Sequence, residues 1–202
     1  MLEKIKELFR RENLSLSEEQ ARKFEVYLRE LLRWNRVHNL TAIKEPEEII
    51  KRHFVESVSL IRCFEEANLD WKGKEFADIG TGAGFPGVPL KIYLGDVRLF
   101  LVEASSKKCS FLEYLKVKLN EEYEVLCERA ENLSRSFDVV LSRALGEFEE
   151  VYELLESLSR GYIFVMKGKD IKREWIEELG YNLCELKLSF IPRTYVLWKA
   201  KG

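Results

Sequence analysis

The part of the chain after residue 70 alternates short apolar runs with helical stretches, and this alternation constrains the fold more than any other feature. Seven such runs follow one another: EFADIG, RLFLVE, YEVLCE, FDVVLSRA, GYIFVMKG, YNLCELKLSF and RTYVLWKA. Helical spacing fills the stretches around 107–119, 147–158 and 171–179. A parallel crossover needs about a dozen residues or more, so strands separated by helices predict βαβ units. We predict an α/β fold with a mostly parallel seven-stranded sheet, whose last two strands pair as an antiparallel edge hairpin near Pro192.

The first 70 residues have helical signals instead. Ser17 and Gln20 have the spacing of a capping box before an amphipathic stretch, and Pro46 suits the first turn of a second amphipathic helix. The segment DWKGK at 70–74 is the best candidate for a boundary. We therefore divide the chain into an N-terminal helical region, 1–70, and an α/β domain, 71–202.

Composition limits the partners and the compartment. The net charge of -2 comes from 33 basic and 35 acidic residues, so any nucleic-acid surface must be a local patch. No apolar stretch approaches the roughly 20 residues that span a bilayer, and we expect a cytoplasmic protein without a membrane partner. The four cysteines stand singly without metal-ligand spacing, which predicts buried thiols and no metal site.

A glycine-rich turn follows the first predicted strand. In FADIGTGAGFPGVPL, Gly80, Gly82 and Gly84 occupy alternate positions, which predicts a nucleotide site at the carboxyl ends of the strands. The letters GAGFPG also satisfy a dinucleotide pattern, with Glu103 about 20 residues further on as the ribose-binding acid. Asp78 at the head of the turn would repel a pyrophosphate but suits a cationic methionine moiety, which favours S-adenosylmethionine.

Four motifs in order then support a specific resemblance. The stretches WNRVHNLTAI at 34–43, DIGTGAGFPGVPL at 78–90, SRA at 142–144 and MKG at 166–168 resemble the bacterial small-subunit (16S) ribosomal RNA guanine-N7 methyltransferase family. The resemblance implies a Rossmann-like class I methyltransferase fold, S-adenosylmethionine as the donor, and one guanine in the decoding-region loop as the acceptor. It also implies cofactor contacts at Gly80, Phe85, Ala130, Glu131 and Arg143. The wider class I pattern adds Asp78 and Glu103, and the turn itself adds Gly82 and Gly84.

The predicted chemistry needs no general base, because guanine N7 has a free lone pair in the neutral base. Orientation and electrostatics can then supply the catalysis, and Arg143 at the end of the fourth strand is the candidate for it. That guanidinium could hold an RNA phosphate, the donor's carboxylate or the edge of the base. The two histidines, His38 and His53, lie outside the predicted sheet, and we expect both to be ordinary surface or capping residues.

Basic and aromatic residues form the predicted RNA surface. Arg33, Trp34, Arg36 and Lys167 are its main candidates, and the partner is small-subunit rRNA or the small-subunit particle, bound by a monomer. Two other functions stay open. One is an RNA-binding assembly factor that keeps a nucleotide fold. The other is a nicotinamide-dependent reductase, for which Tyr114 and Lys118 have the right mutual spacing but stand too early in the chain.

Overall fold

The computed structural model describes residues 1–143 and 145–202; Ala144, the last residue of the SRA motif, lies outside the described residues. All seven predicted strands are present and form one sheet: β1 Glu75–Ile79, β2 Arg98–Val102, β3 Tyr123–Leu126, β4 Phe137–Arg143, β5 Ser159–Gly168, β6 Asn182–Leu188 and β7 Ile191–Ala200. The strand order is β3-β2-β1-β4-β5-β7-β6. Strands β1 to β5 run parallel, and β7 is antiparallel to both β5 and β6. The predicted fold class and edge hairpin are confirmed.

Helices precede the sheet and connect its strands. The described α-helices are α1 Leu2–Arg10, α2 Glu18–His38, α3 Pro46–Ile49, α4 Glu56–Ser59, α5 Ile61–Glu66, α6 Gly87–Leu94, α7 Ser106–Leu119, α8 Phe148–Leu158 and α9 Arg173–Glu177. The predicted capping box is present at the start of α2, and α3 begins at Pro46. The second helix of the N-terminal region was expected to be continuous, but a π-helical segment, Ile50–Val55, separates α3 from α4. None of the described helices is long and apolar enough to cross a membrane.

Alternate residues of each strand point to opposite faces of the sheet, and both faces are buried by apolar clusters. On one face, Phe76 of β1 belongs to an apolar cluster that includes Phe24 of α2 and Leu112 of α7. On the other face, Ile79 belongs to a second cluster with Phe148 of α8. The N-terminal helices therefore share one core with the sheet, while the division at residue 70 stays a prediction about chain organisation.

The strand order creates a switch point beside β1. The chain leaves β1 toward β2 and β3 on one side, then returns to β4 on the other. In such a sheet a ligand crevice forms outside the carboxyl ends of the strands that flank the reversal. Ile79 pairs with Val102 and with Ser142, so the residues that follow these three strand ends meet at one edge.

The cysteines contradict the prediction of free thiols. Cys63 is disulfide-bonded to Cys184, and Cys109 is disulfide-bonded to Cys127. The first bond joins α5 to β6 across 121 residues of chain, and the second joins α7 to the segment after β3. Sequence spacing gave no indication of these pairs, because both partners of each bond are brought together only by the packing of helices on the sheet.

Candidate active site

A groove of about 330 Å³ lies at the carboxyl ends of β1 and β2. We call it the strand-end groove, and its lining residues are Ile79, Gly80, Val102, Glu103, Ala104, Glu128, Arg129, Ala130, Glu131, Leu145, Val151 and Leu154. Apolar side chains therefore face a rim of carboxylates and one guanidinium. Four of the predicted cofactor residues, Gly80, Glu103, Ala130 and Glu131, line this groove together.

Glu103 fastens the glycine turn to the end of β2. Its Oε1 accepts a hydrogen bond from the Gly82 amide at 2.9 Å, and its Oε2 accepts one from the Ser105 amide at 2.8 Å. A carboxylate has about four lone-pair sites, so these two amides leave acceptor capacity for a ligand in the groove. Glu103 can thus both hold the turn and bind hydroxyl groups.

The three glycines of the turn share a left-handed backbone conformation but differ in what surrounds them. All have a positive φ, of +69°, +62° and +107° for Gly80, Gly82 and Gly84. A Cβ at Gly80 would collide with Leu145, and a Cβ at Gly84 would lie 2.5 Å from the Tyr27 hydroxyl. A Cβ at Gly82 would meet nothing within 4 Å. Only Gly82 therefore leaves open space beside the backbone, and Gly84 serves the packing of α2.

Asp78 lies beneath the turn and is fully buried. Its Oδ2 accepts hydrogen bonds from the Thr81 hydroxyl and the Gly87 amide, both at 2.8 Å. Burial raises the pKa of Asp78 to about 8, although these two donors and Arg143 oppose the shift. The contacts that Asp78 makes hold the turn onto α6, and its direct contact with a cationic ligand stays a prediction.

Phe85 is enclosed between two rings of the N-terminal region. The His53 ring stacks on it with centroids 4.2 Å apart, and the Tyr27 ring stacks with centroids 5.3 Å apart. The Tyr27 hydroxyl donates to the Ala83 carbonyl at 2.6 Å. Phe85 therefore anchors the glycine turn to the helices, and its contact with a cofactor stays a prediction.

His53 is a buried structural residue, which corrects the expectation of a surface or capping histidine. It is 8% exposed, and its Nε2 is 2.8 Å from the Thr41 hydroxyl. The Thr41 amide in turn donates to Asn35 Oδ1 at 2.9 Å, so the WNRVHNLT motif folds into a support for this ring. Burial, helped by the nearby Arg143 charge, lowers the pKa of His53 to about 3. The imidazole is therefore neutral at pH 7.

Arg143 ends β4 as predicted, but its guanidinium is not free. Its side chain is 20% exposed, whereas an exposed guanidinium was expected. Nη2 donates to the Arg52 carbonyl at 3.0 Å and lies 3.9 Å from Glu56 Oε1. Nη1 is buried without a hydrogen-bond partner among the described residues. Arg143 thus joins the sheet to the π-helical segment and still has donors to offer.

A second cavity, of about 220 Å³, adjoins the strand-end groove. We call it the rim cavity, and its lining residues are Glu56, Ser142, Arg143, Leu145, Gly146, Phe148, Val151, Val165, Met166, Lys167, Gly168 and Thr194. It shares Leu145 and Val151 with the groove. Arg143 faces this cavity and is absent from the lining of the groove. Among residues 1–143 and 145–202, no three His, Cys, Asp or Glu side chains are grouped as a metal site.

The predicted RNA residues do not form one surface with the groove. Arg33 and Trp34, with Val37 and His38, line a separate depression on α2. The Trp34 ring packs within 5.3 to 5.5 Å of rings on α7 and of His38, so it is partly buried and not a free platform. Arg36 is exposed. In the rim cavity, Lys167 extends its ammonium over the Trp175 ring at 5.4 Å. RNA binding by these four residues stays a prediction.

Comparisons with known proteins agree on one family. The sequence profile of the GidB family, described as rRNA small subunit methyltransferase G, matches residues 20–194. The ribosomal RNA small subunit methyltransferase G of Aquifex aeolicus is 66% identical over 195 residues, covering 96% of this chain and 98% of that protein. The protein of the same name from Desulfitobacterium hafniense is 38% identical over 192 residues, covering 87% and 77%.

A solved structure supports the fold independently. The magnesium protoporphyrin IX methyltransferase of Synechocystis, crystallised with bound SAM, superimposes with a TM-score of 0.63 at 14% identity, covering 93% of this chain and 99% of that chain. At this identity the similarity concerns the fold alone. The fold of this chain is therefore shared with a methyltransferase that has a different substrate.

Proposed function

The chain belongs to the rRNA small subunit methyltransferase G family and is an S-adenosylmethionine-dependent methyltransferase of small-subunit ribosomal RNA, and from this premise we propose that it methylates guanine N7 with the donor in the strand-end groove. The observation that carries the proposal is the joint lining of that groove by Gly80, Glu103 and Ala130 at the switch point of the sheet. Arg143 marks the adjoining side from which an acceptor enters.

The residues of the groove fit the donor's parts. Glu103 keeps acceptor capacity for the two ribose hydroxyls, and the apolar side chains of Leu145, Val151 and Leu154 suit a purine ring. Gly82 does not line the groove itself, but its amide donates to Glu103, and the open space beside it allows the backbone of the turn to be approached closely. Bound there, S-adenosylmethionine supplies an electrophilic methyl group on a positively charged sulfur.

The residues around the acceptor need only to orient it. Guanine N7 carries its own lone pair, so no side chain has to remove a proton before the methyl group is accepted. The neutral His53 is buried behind Phe85 and is not a base for the reaction. Arg143 contributes by holding the acceptor in line, which is the catalytic role that we assign to it.

The acceptor is small-subunit rRNA, either free or within the small-subunit particle, and we infer from this acceptor that the reaction takes place in the cytoplasm. Because the net charge is only -2, contact with RNA phosphates has to come from local groups of basic residues, for which Arg33, Arg36 and Lys167 are candidates. The partly buried ring of Trp34 would contact RNA only with its accessible edge. A monomer suffices for this arrangement, because all groove residues belong to one chain.

Calorimetry with purified variants tests the donor site. Glu103→Ala removes the ribose-binding carboxylate; the loss of a charge-assisted hydrogen bond to the donor, about 1.5–3 kcal/mol, should weaken binding of S-adenosylmethionine by about 10- to 100-fold. Glu113→Ala is the matched control, because it makes the same change on the exposed face of α7. Equal donor affinity for Glu103→Ala and Glu113→Ala would remove the groove as the donor site. Thermal unfolding of both variants shows whether the turn itself has been lost.

A further inference from the structure

One carboxylate in the rim cavity has no part in the donor site. Glu56 begins α4, directly after the π-helical segment, and its side chain is 13% exposed. Its nearest cation is Arg143, whose Nη2 lies 3.9 Å from Oε1, beyond hydrogen-bond distance. Within the described chain, neither oxygen of this carboxylate accepts a side-chain or backbone hydrogen bond. A carboxylate in that position can accept hydrogen bonds from N–H or O–H groups of a ligand.

The cavity around Glu56 offers complementary groups side by side. The N-terminal region contributes the carboxylate, and the end of β4 contributes Arg143, whose Nη2 lies 3.9 Å from it and whose buried Nη1 has a donor to spare among the described contacts. Phe148, Val165 and Met166 add apolar surface to the same cavity. A flat ligand with an acceptor beside two donors along one edge matches this neighbouring pair.

Guanine has that distribution. Its O6 acceptor lies beside the N1–H and 2-amino donors along one edge, while N7 lies on the other side of O6. When N7 points toward the strand-end groove, the two donors point away from it. A carboxylate accepts two such parallel donors, whereas adenine presents no N–H at the corresponding positions. Burial raises the pKa of Glu56, and hydrogen-bond donors from a ligand would favour its charged form.

We propose that the rim cavity is the acceptor-base site and that Glu56 selects guanine by accepting hydrogen bonds from its N1–H and 2-amino groups. The proposal rests on the proposed function, since it takes guanine as the acceptor. It adds a specificity-determining residue from the N-terminal helical region to a reaction whose donor groove is lined only by residues of the α/β domain. Adenine in the same cavity would leave the carboxylate unpaired, which costs binding.

Small-subunit RNA with a single inosine at the methylated position tests this assignment. Inosine keeps N1–H, O6 and N7 but lacks the 2-amino group. Ligated RNAs with guanosine or inosine are supplied both naked and assembled with their proteins, and methyl transfer is measured for the wild type and Glu56→Gln. Glu65→Gln, on the exposed surface of α5, is the matched control.

The wild type and Glu65→Gln should prefer guanosine RNA over inosine RNA by about 10- to 100-fold in kcat/KM. Glu56→Gln should lose a similar factor on guanosine RNA and should treat both RNAs alike within about twofold. Undiminished discrimination by Glu56→Gln, or none by the wild type, would overturn the proposal. A purely structural role would lower donor affinity or thermal stability while leaving the discrimination intact.

Failure of the proposed function has a different result. In that case the wild type binds S-adenosylmethionine by calorimetry but transfers methyl groups to neither RNA, naked or assembled. If the wild type instead methylates guanosine RNA and only the discrimination is absent, the function stands and the role of Glu56 falls.

Discussion

Lowering the pH should remove a large contribution of His53 to folding. The folded protein holds this imidazole neutral between Phe85 and the Thr41 hydroxyl, with a pKa of about 3, against 6.5 in the unfolded chain. A depressed pKa means that the unfolded state binds the proton more tightly. The stability associated with His53 is therefore complete above pH 6.5 and is lost progressively as the pH falls toward 3.

The size of the effect follows from these two values. Between pH 7 and pH 5 the linkage relation gives a loss of about 2 kcal/mol in the free energy of unfolding. Asp78 acts in the opposite direction, because burial raises its pKa to about 8 and its protonation stabilises the fold as the pH falls. The total stability would consequently hide the contribution of His53, and a comparison with variants is required.

Urea denaturation of the wild type, His53→Gln and His53→Phe at pH 7 and pH 5 isolates the effect. Both variants should be less stable than the wild type at pH 7, and this difference should shrink by about 2 kcal/mol at pH 5. The shrinkage should be the same for both variants, because it comes from titration of the wild-type residue. A difference that is constant between the two pH values would refute a buried, neutral His53.

Three further predictions concern the turn, the rim and the disulfides. Gly82→Val should abolish donor binding in calorimetry with a small loss of stability. Gly84→Val should unfold at a lower denaturant concentration, because its side chain would collide with Tyr27, and equal stability of the two variants would contradict this difference. Arg143→Ala should reduce methyl transfer more than donor binding. It should also lower the free energy of unfolding by about 1 kcal/mol, because the hydrogen bond to the Arg52 carbonyl is lost. An unchanged rate of methyl transfer would leave Arg143 only a structural role. The double variant Cys63→Ser, Cys184→Ser should lower the free energy of unfolding by up to about 5 kcal/mol, because the disulfide closes a 121-residue loop. Equal stability of the wild type and this variant in the absence of reductant would argue against the disulfide.

The sheet was predictable because its signals are local. Strands β2, β4 and β5 contain continuous apolar runs, and the helices that separate β1 to β5 indicate parallel crossovers. Gly80 and Glu103 could be placed at one edge of the sheet for the same reason, since each directly follows a strand end, whereas Ala130 and Glu131 were expected there only from the family resemblance. The π-helical segment between α3 and α4 has no such signal in the sequence, because tertiary packing sets where it begins and ends.

The contacts between the N-terminal helices and the turn could not be predicted. His53 and Glu56 are far from the glycine turn in sequence, and only the shared core brings them to Phe85 and Arg143. The packing of Tyr27 beside Gly84 was not predictable for the same reason, and contact of Gly84 with the donor stays a prediction. One sequence signal did point to this connection: the WNRVHNLT motif, whose Asn35 and Thr41 support the His53 ring.

The product of the reaction tests the central claim most directly. Methylation of guanine N7 creates a fixed positive charge on the imidazole ring, and borohydride reduction followed by aniline then cleaves the RNA chain at that nucleotide. Small-subunit RNA, naked and in particles, is incubated with the enzyme and tritiated S-adenosylmethionine, and the chain breaks are mapped. We expect one new aniline-sensitive guanine in an unpaired loop, where a base can enter a cavity without melting a helix. Tritium incorporated into the RNA with no new cleavage site would contradict methylation at N7.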